Sequence, residues 1–173
     1  GLNLYGAGQT DRVKESRREA VDNYRENLAA IDGLVEKAGI KSVYRLTPTP
    51  YEDTAVLETR AARRSGRNAA LGKMAQIVRA RAAEKGGTLV DLYTTLNSYN
   101  REKQAEDPSF TIVGGDRVHP AEPGHLLMAY TFLKTQGVDA LVSDVGLDYG
   151  RKEIEKSLKA TVSDVKWDRE SVE

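Results

Sequence analysis

The chain has 173 residues, with 26 Lys and Arg against 26 Asp and Glu, two His and no Cys. That length fits one domain with an added fragment, and it can bury a core that needs no disulfide or structural metal. The missing Cys excludes thiolate nucleophiles, Cys-ligated zinc and iron–sulfur clusters. Balanced charge argues against nucleic acid as a partner, and no apolar run approaches the ~20 residues of a membrane span.

In chain order, Gly1-Leu2-Asn3-Leu4 has neither a Met nor a charged stretch leading into an apolar signal segment. Asp168 to Glu173 reads as a strand entered but not finished. Both ends therefore read as cut from a longer protein, and the compartment cannot be taken directly from these residues. Asp11 to Ala38 is the clearest predicted helix: Val21, Tyr24, Leu28, Ile31, Leu34, Val35 and Ala38 recur at three- and four-residue steps. Thr10 or Asp11 suits its start, and Gly39 suits a left-handed stop. Ser42 to Thr47 reads as a strand closed by Pro48-Thr49-Pro50. Tyr51 to Arg67 is irregular, basic and expected to be exposed.

A second helix carries Leu71, Met74, Ala75, Val78 and Ala82 on one face and stops at Gly86-Gly87. Thr88 to Tyr93 is the next predicted strand, followed by a helix over Thr94 to Gln104. Phe110 to Pro120 reads as a loop with Gly114-Gly115, and Pro120 suits the start of a helix bearing Leu126, Leu127, Tyr130 and Leu133 and ending near Gly137. This alternation predicts a three-layer α/β fold, a parallel sheet with helices on both faces. Beyond Val138, Ala140 to Ser143 is a possible strand. Ile154, Leu158, Val162 and Val165 fit one helix face, yet Thr161 to Trp167 also fits a strand. The expected division is residues 1–137 and a C-terminal extension, either the start of an adjoining module or a peripheral hairpin, over 138–173.

The stretch with most chemistry is Gly115-Asp116-Arg117-Val118-His119-Pro120-Ala121-Glu122-Pro123-Gly124-His125. An Asp three residues before a His, in a loop feeding a helix, can reach the imidazole, fix its tautomer and stabilise the imidazolium. Loops beyond the carboxyl ends of parallel strands are where such folds place their sites. The plain alternative is a loop-capping Asp beside a surface His.

Asp116-Arg117-Val118-His119-Pro120, then Pro123-Gly124-His125-Leu126-Leu127-Met128-Ala129, resembles the final sequence block of the SGNH (GDSL-type) esterase and acylhydrolase superfamily. Leu46 to Tyr51, Thr88 to Leu92 and Gly1-Leu2-Asn3 resemble earlier blocks in the same order, so the likeness covers residues 1 to about 137, the C-terminal two-thirds of such a domain. It implies a flavodoxin-like fold truncated at its N-terminus. It makes His119 the general base, Asp116 its orienter and Asn3 an oxyanion donor. It implies hydrolysis of acetyl or acyl esters, often on carbohydrates or lipids, with no cofactor, in a secreted or periplasmic parent.

The family's nucleophile sits in a Gly-Asp-Ser block that this sequence lacks, as it lacks the second block with its oxyanion glycine, and Leu4 replaces the Asp that usually follows Gly-x-Asn. A His–Asp pair without an attacking oxygen cannot carry out acyl transfer. Residues 1–173 alone are therefore expected to be inactive, and an incomplete fold is open to self-association or strand exchange. Ser65 and Ser143 lack a nucleophile context. A degenerate relative that binds carbohydrate or protein through the same cleft is one alternative, and a metal hydrolase using Asp116, His119 and His125 is another. The run Arg60 to Arg67, offset by Glu52, Asp53 and Glu58, reads as a solvated loop or lid. Tyr51, Tyr93 and Tyr99 could line a sugar groove but more often such residues pack.

Overall fold

The computed structural model describes residues 10–58 and 66–167. Two compact units divide at Gln136 and Gly137, and each is described by itself.

The first unit opens with α1 (Asp11–Lys37). The hydroxyl of Thr10 accepts from the amide of Val13 at 3.4 Å, satisfying one of the free N–H groups of the first turn. Gly39, at φ +68°, follows the last turn. Strand β1 (Tyr44–Leu46) pairs in parallel with β2 (Thr88–Val90), Tyr44 opposite Thr88 and Leu46 opposite Val90. Between them runs α2 (Arg67–Lys85), and α3 (Leu92–Gln104) and α4 (Glu122–Thr135) follow. Side chains alternate across β1: the Tyr44 ring meets Phe132 of α4 at 5.4 Å, while Arg45 reaches Asp32 of α1 at 2.6 Å. Helices therefore cover both faces, as the alternation of elements predicts.

Two clusters hold this unit together. Ala20 and Val21 of α1 pack on Ala70 and Met74 of α2. Val90, Leu92, Leu96, Ile112 and Val113 form the other, with Leu127, Met128 and Phe132 of α4 against it. Asp32 is 4% exposed, and its two oxygens face Arg45 and, at 3.6 Å, Arg81, so one buried carboxylate ties α1 to β1 and α2.

Several sequence expectations are corrected. The described part of the segment from Tyr51 to Arg67 is not simply exposed: Tyr51, Glu52, Ala55 and Arg67 are buried, and the loop after β1 is tied by backbone hydrogen bonds to the carbonyls of Pro108 and Arg117. The second strand stops at Val90, since Asp91 caps α3 by accepting from the amide of Thr94. Pro120 does not begin α4; it forms an isolated antiparallel bridge with Val113, and the helix starts at Glu122. In α4, Leu126, Tyr130 and Leu133 face outward, and Gly124, Leu127, Met128 and Thr131 face inward. That helix is apolar on nearly every side, so periodicity alone cannot choose its inner face.

In the second unit, Ala140 to Ser143 is not a strand and Ile154 to Leu158 is not helical. The strands are β3 (Asp144–Asp148) and β4 (Glu153–Leu158), an antiparallel hairpin with a register shift after Gly146. Its turn is set by Asp148, whose carboxylate accepts from the Arg151 amide at 2.8 Å. Lys159 and Asp164 have φ of +53° and +55°, which breaks any helix through them. Thr161 to Lys166 is irregular, with a bridge at Trp167, whose ring lies 6.2 Å from that of Tyr149. Among the described residues, no helix is long and apolar enough to cross a membrane.

Candidate active site

The ends of β1 and β2 are joined by side chains. Thr47 donates its hydroxyl to Asp91 at 3.1 Å and accepts from the amide of Tyr93 at 2.8 Å. Arg79 holds both oxygens of Asp91, at 2.9 and 3.0 Å. Burial works against the Asp91 charge, but Arg79, Thr94 and Thr47 outweigh it and hold the carboxyl below its ordinary range.

Beyond this platform the chain from Thr111 to Ala121 forms a tight loop. The amide of Gly114 donates to the carbonyl of His119 at 2.7 Å, and that of Ala121 to Ile112 at 2.9 Å. At its tip, Asp116 accepts from the backbone amides of Val118 and His119 at 2.9 and 3.0 Å through one oxygen. The other oxygen lies 2.5 Å from Nδ1 of His119. The contact to the His119 ring, helped by those two amides, lowers the Asp116 carboxyl to about 2. The His119 side chain is 82% exposed, so the ring opens to solvent. Nδ1 is committed to Asp116, which leaves Nε2 as the ring nitrogen that can exchange a proton.

A depressed carboxyl means that the contact contributes fully to folding above the ordinary Asp value of 3.8 and is lost as the pH falls through about 2. A carbon-detected NMR titration is expected to place the Asp116 midpoint near 2; a midpoint near 3.8 would mean that the pair does not form in solution.

The loop rests on Gly124 in the first turn of α4. A Cβ there would stand 2.4 Å from the carbonyl oxygen of Ile112 and 2.9 Å from Cβ of Pro120. Gly124→Ala is therefore expected to destabilise the protein by about 1–3 kcal/mol in urea unfolding, despite the better helix propensity of Ala.

The structure brings Asp116 and His119 together and leaves His125 on the exposed first turn of α4. Among the described residues, no three His, Asp or Glu side chains are grouped to hold a metal ion. Asn3 and Ser65 lie outside the described residues, as does the run from 60 to 65; Ser143 is exposed in the second unit. Tyr51 packs under the Arg67 guanidinium at 4.5 Å, Tyr93 donates to the carbonyl of Asn68, and Tyr99 meets Phe110 edge-on, so none of the three forms an open aromatic wall. Pro48, Pro50, Tyr51, Arg67 and Leu71 do line a cavity of about 170 Å³ that Val118 closes, beside the dyad loop. The larger groove between α1 and α2 shares no lining residue with that loop.

Sequence reasoning missed Glu52, Asn100 and Thr111, which support the loop from behind. Their one signal is a set of hydrogen-bonding residues in segments otherwise built to pack.

A parallel sheet covered by helices on both faces defines an α/β domain, and a His–Asp pair sits in its last loop before the closing helix. Residues 2–132 match the model of the GDSL-like lipase/acylhydrolase family, and the chain belongs to that family. Among solved structures, a gut microbial diltiazem-metabolizing enzyme is 26% identical with a TM-score of 0.86, over 99% of this chain and 39% of its own. A variant of Axe2, an acetyl-xylooligosaccharide esterase from Geobacillus, is 21% identical at a TM-score of 0.50, over 72% of this chain and 52% of its own, a likeness of fold alone. The chain thus spans about two-fifths to half the length of these structures. No curated protein matches the sequence.

Proposed function

We propose that these residues form the base-bearing part of a serine ester hydrolase. His119 takes the proton from a serine hydroxyl as it attacks an ester carbonyl, and returns it to the departing alcohol. Asp116 holds the ring in the tautomer that leaves Nε2 free to accept and stabilises the imidazolium that forms. Water then attacks the acyl-enzyme with His119 again taking the proton; the acyl–serine bond breaks, the proton passes to the serine oxygen and the carboxylic acid leaves. Asn3 is assigned to the oxyanion on the family pattern, where one donor is typically worth ~10²–10³ in turnover. No metal or cofactor is required by these steps.

The observation that carries this reading is the 2.5 Å contact between Nδ1 of His119 and Asp116, on a ring open to solvent. The attacking serine is assigned to sequence outside these residues, because the family's Gly-Asp-Ser block does not occur in them. The proposed substrates are small or carbohydrate-borne acetyl and acyl esters, in keeping with family membership. The small cavity beside Val118 suits a short acyl group.

The test is turnover of p-nitrophenyl acetate by the full-length polypeptide and by residues 1–173 alone. Hydrolysis by the first and none by the second is expected. A full-length protein that forms no acyl-enzyme with this ester would overturn the proposal.

A further inference from the structure

Glu52 is 2% exposed, directly after the loop that leaves β1. Each of its carboxylate oxygens is fully used. Oε1 accepts from the amides of Thr54 and Ala55 and from the Thr54 hydroxyl, all at 2.7 Å. Oε2 accepts from Asn100 at 2.8 Å, Thr111 at 3.1 Å and Gln104 at 3.3 Å. Its backbone is engaged as well: the amide donates to the carbonyl of Arg117 at 3.0 Å, and the carbonyl accepts from the Arg117 guanidinium at 3.3 Å.

These partners lie on both sides of the dyad. Thr111 opens the loop, and Asn100 accepts from the amide of Ile112 at 3.0 Å. Arg117 stands between Asp116 and His119 with its backbone in the left-handed region, φ +67°. Its guanidinium also donates to the carbonyl of Ala55 at 3.3 Å, inside the turn that Glu52 itself closes. One residue therefore fixes the stem of the loop through its carboxylate and the tip through its backbone.

We infer that Glu52 is a positioning residue that sets the distance between Asp116 and His119 by clamping residues 111–117 onto the loop after β1. The inference rests on the hydrolase reading for its kinetic consequence but not for its structural one. A carboxylate suits this post because six donors converge on it; an amide in its place presents two N–H groups to donors on one side and must break that set. A loop displaced by about 1 Å loses up to ~10²-fold in rate without changing what binds substrate.

The test compares Glu52→Gln, Thr111→Val and Thr111→Ser. In folded residues 1–173, the long-range ¹H–¹⁵N spectrum of His119 reports the Nδ1 hydrogen bond. Glu52→Gln is expected to abolish that signature, Thr111→Val to weaken it and Thr111→Ser to restore it. In the full-length protein, Glu52→Gln is expected to lower kcat about 10- to 100-fold with KM within about twofold. Where Glu52→Gln does not fold, the two Thr111 variants decide the question. An unchanged His119 signature in folded Glu52→Gln, or in Thr111→Val, overturns the inference. Loss of the signature with no esterase activity in the wild-type full-length protein leaves the clamp standing and removes the hydrolase reading instead.

Discussion

Full-length protein carrying His119→Ala is expected to hydrolyse p-nitrophenyl acetate with kcat lowered by ~10⁴–10⁶ and KM nearly unchanged. A general base, the role proposed for His119, acts only while charge is moving, so its removal raises the barrier without weakening the ground-state complex. Asp116→Asn is expected to cost about 10⁴ for a different reason: an amide can present its N–H to Nδ1, which turns the ring to the tautomer with the proton on Nε2. The double variant should be little worse than His119→Ala, because the two residues act as a unit. Steady-state kinetics on the three variants checks this, and an active His119→Ala enzyme would assign the base elsewhere.

The second large effect lies in the core. Asp32→Ala is expected to destabilise the protein by about 3–5 kcal/mol. Its side chain is 5% exposed and Arg45, its nearer partner, 10%. Without the carboxylate, the Arg45 guanidinium keeps its bond from Nε to the carbonyl of Gly86 but remains a buried charge with no counter-ion between α1 and β1. Thermal unfolding should show a fall in Tm of roughly 10 °C. The contrast is Glu15→Ala, which breaks an exposed pair with Arg18 and should change stability by less than ~0.5 kcal/mol.

What was legible in the sequence follows the range of each interaction. The cap at Thr10 and the Asp116–His119 pair span three residues each, so local spacing encodes them. The Glu52 contacts to Asn100 and Thr111 span 48 and 59 residues, and nothing near Glu52 announces them. A lone acid beside Asp53 and Glu58 looks like surface charge until the chain is folded. The hairpin's strands are hard to place for another reason: Ile154 and Leu158, four apart, satisfy both a helical and an alternating pattern. The left-handed residues Lys152 and Lys159 on either side of them decide the matter.

Arg117 leaves natural variation little room. Its backbone asks for glycine, while its guanidinium spans two carbonyls of a neighbouring loop, which glycine cannot do. A change to glycine would relax the main chain and cut the tether; a change to lysine would keep the charge and lose the planar fork. Both demands are written into one codon, so neither can be improved by a single step without surrendering the other.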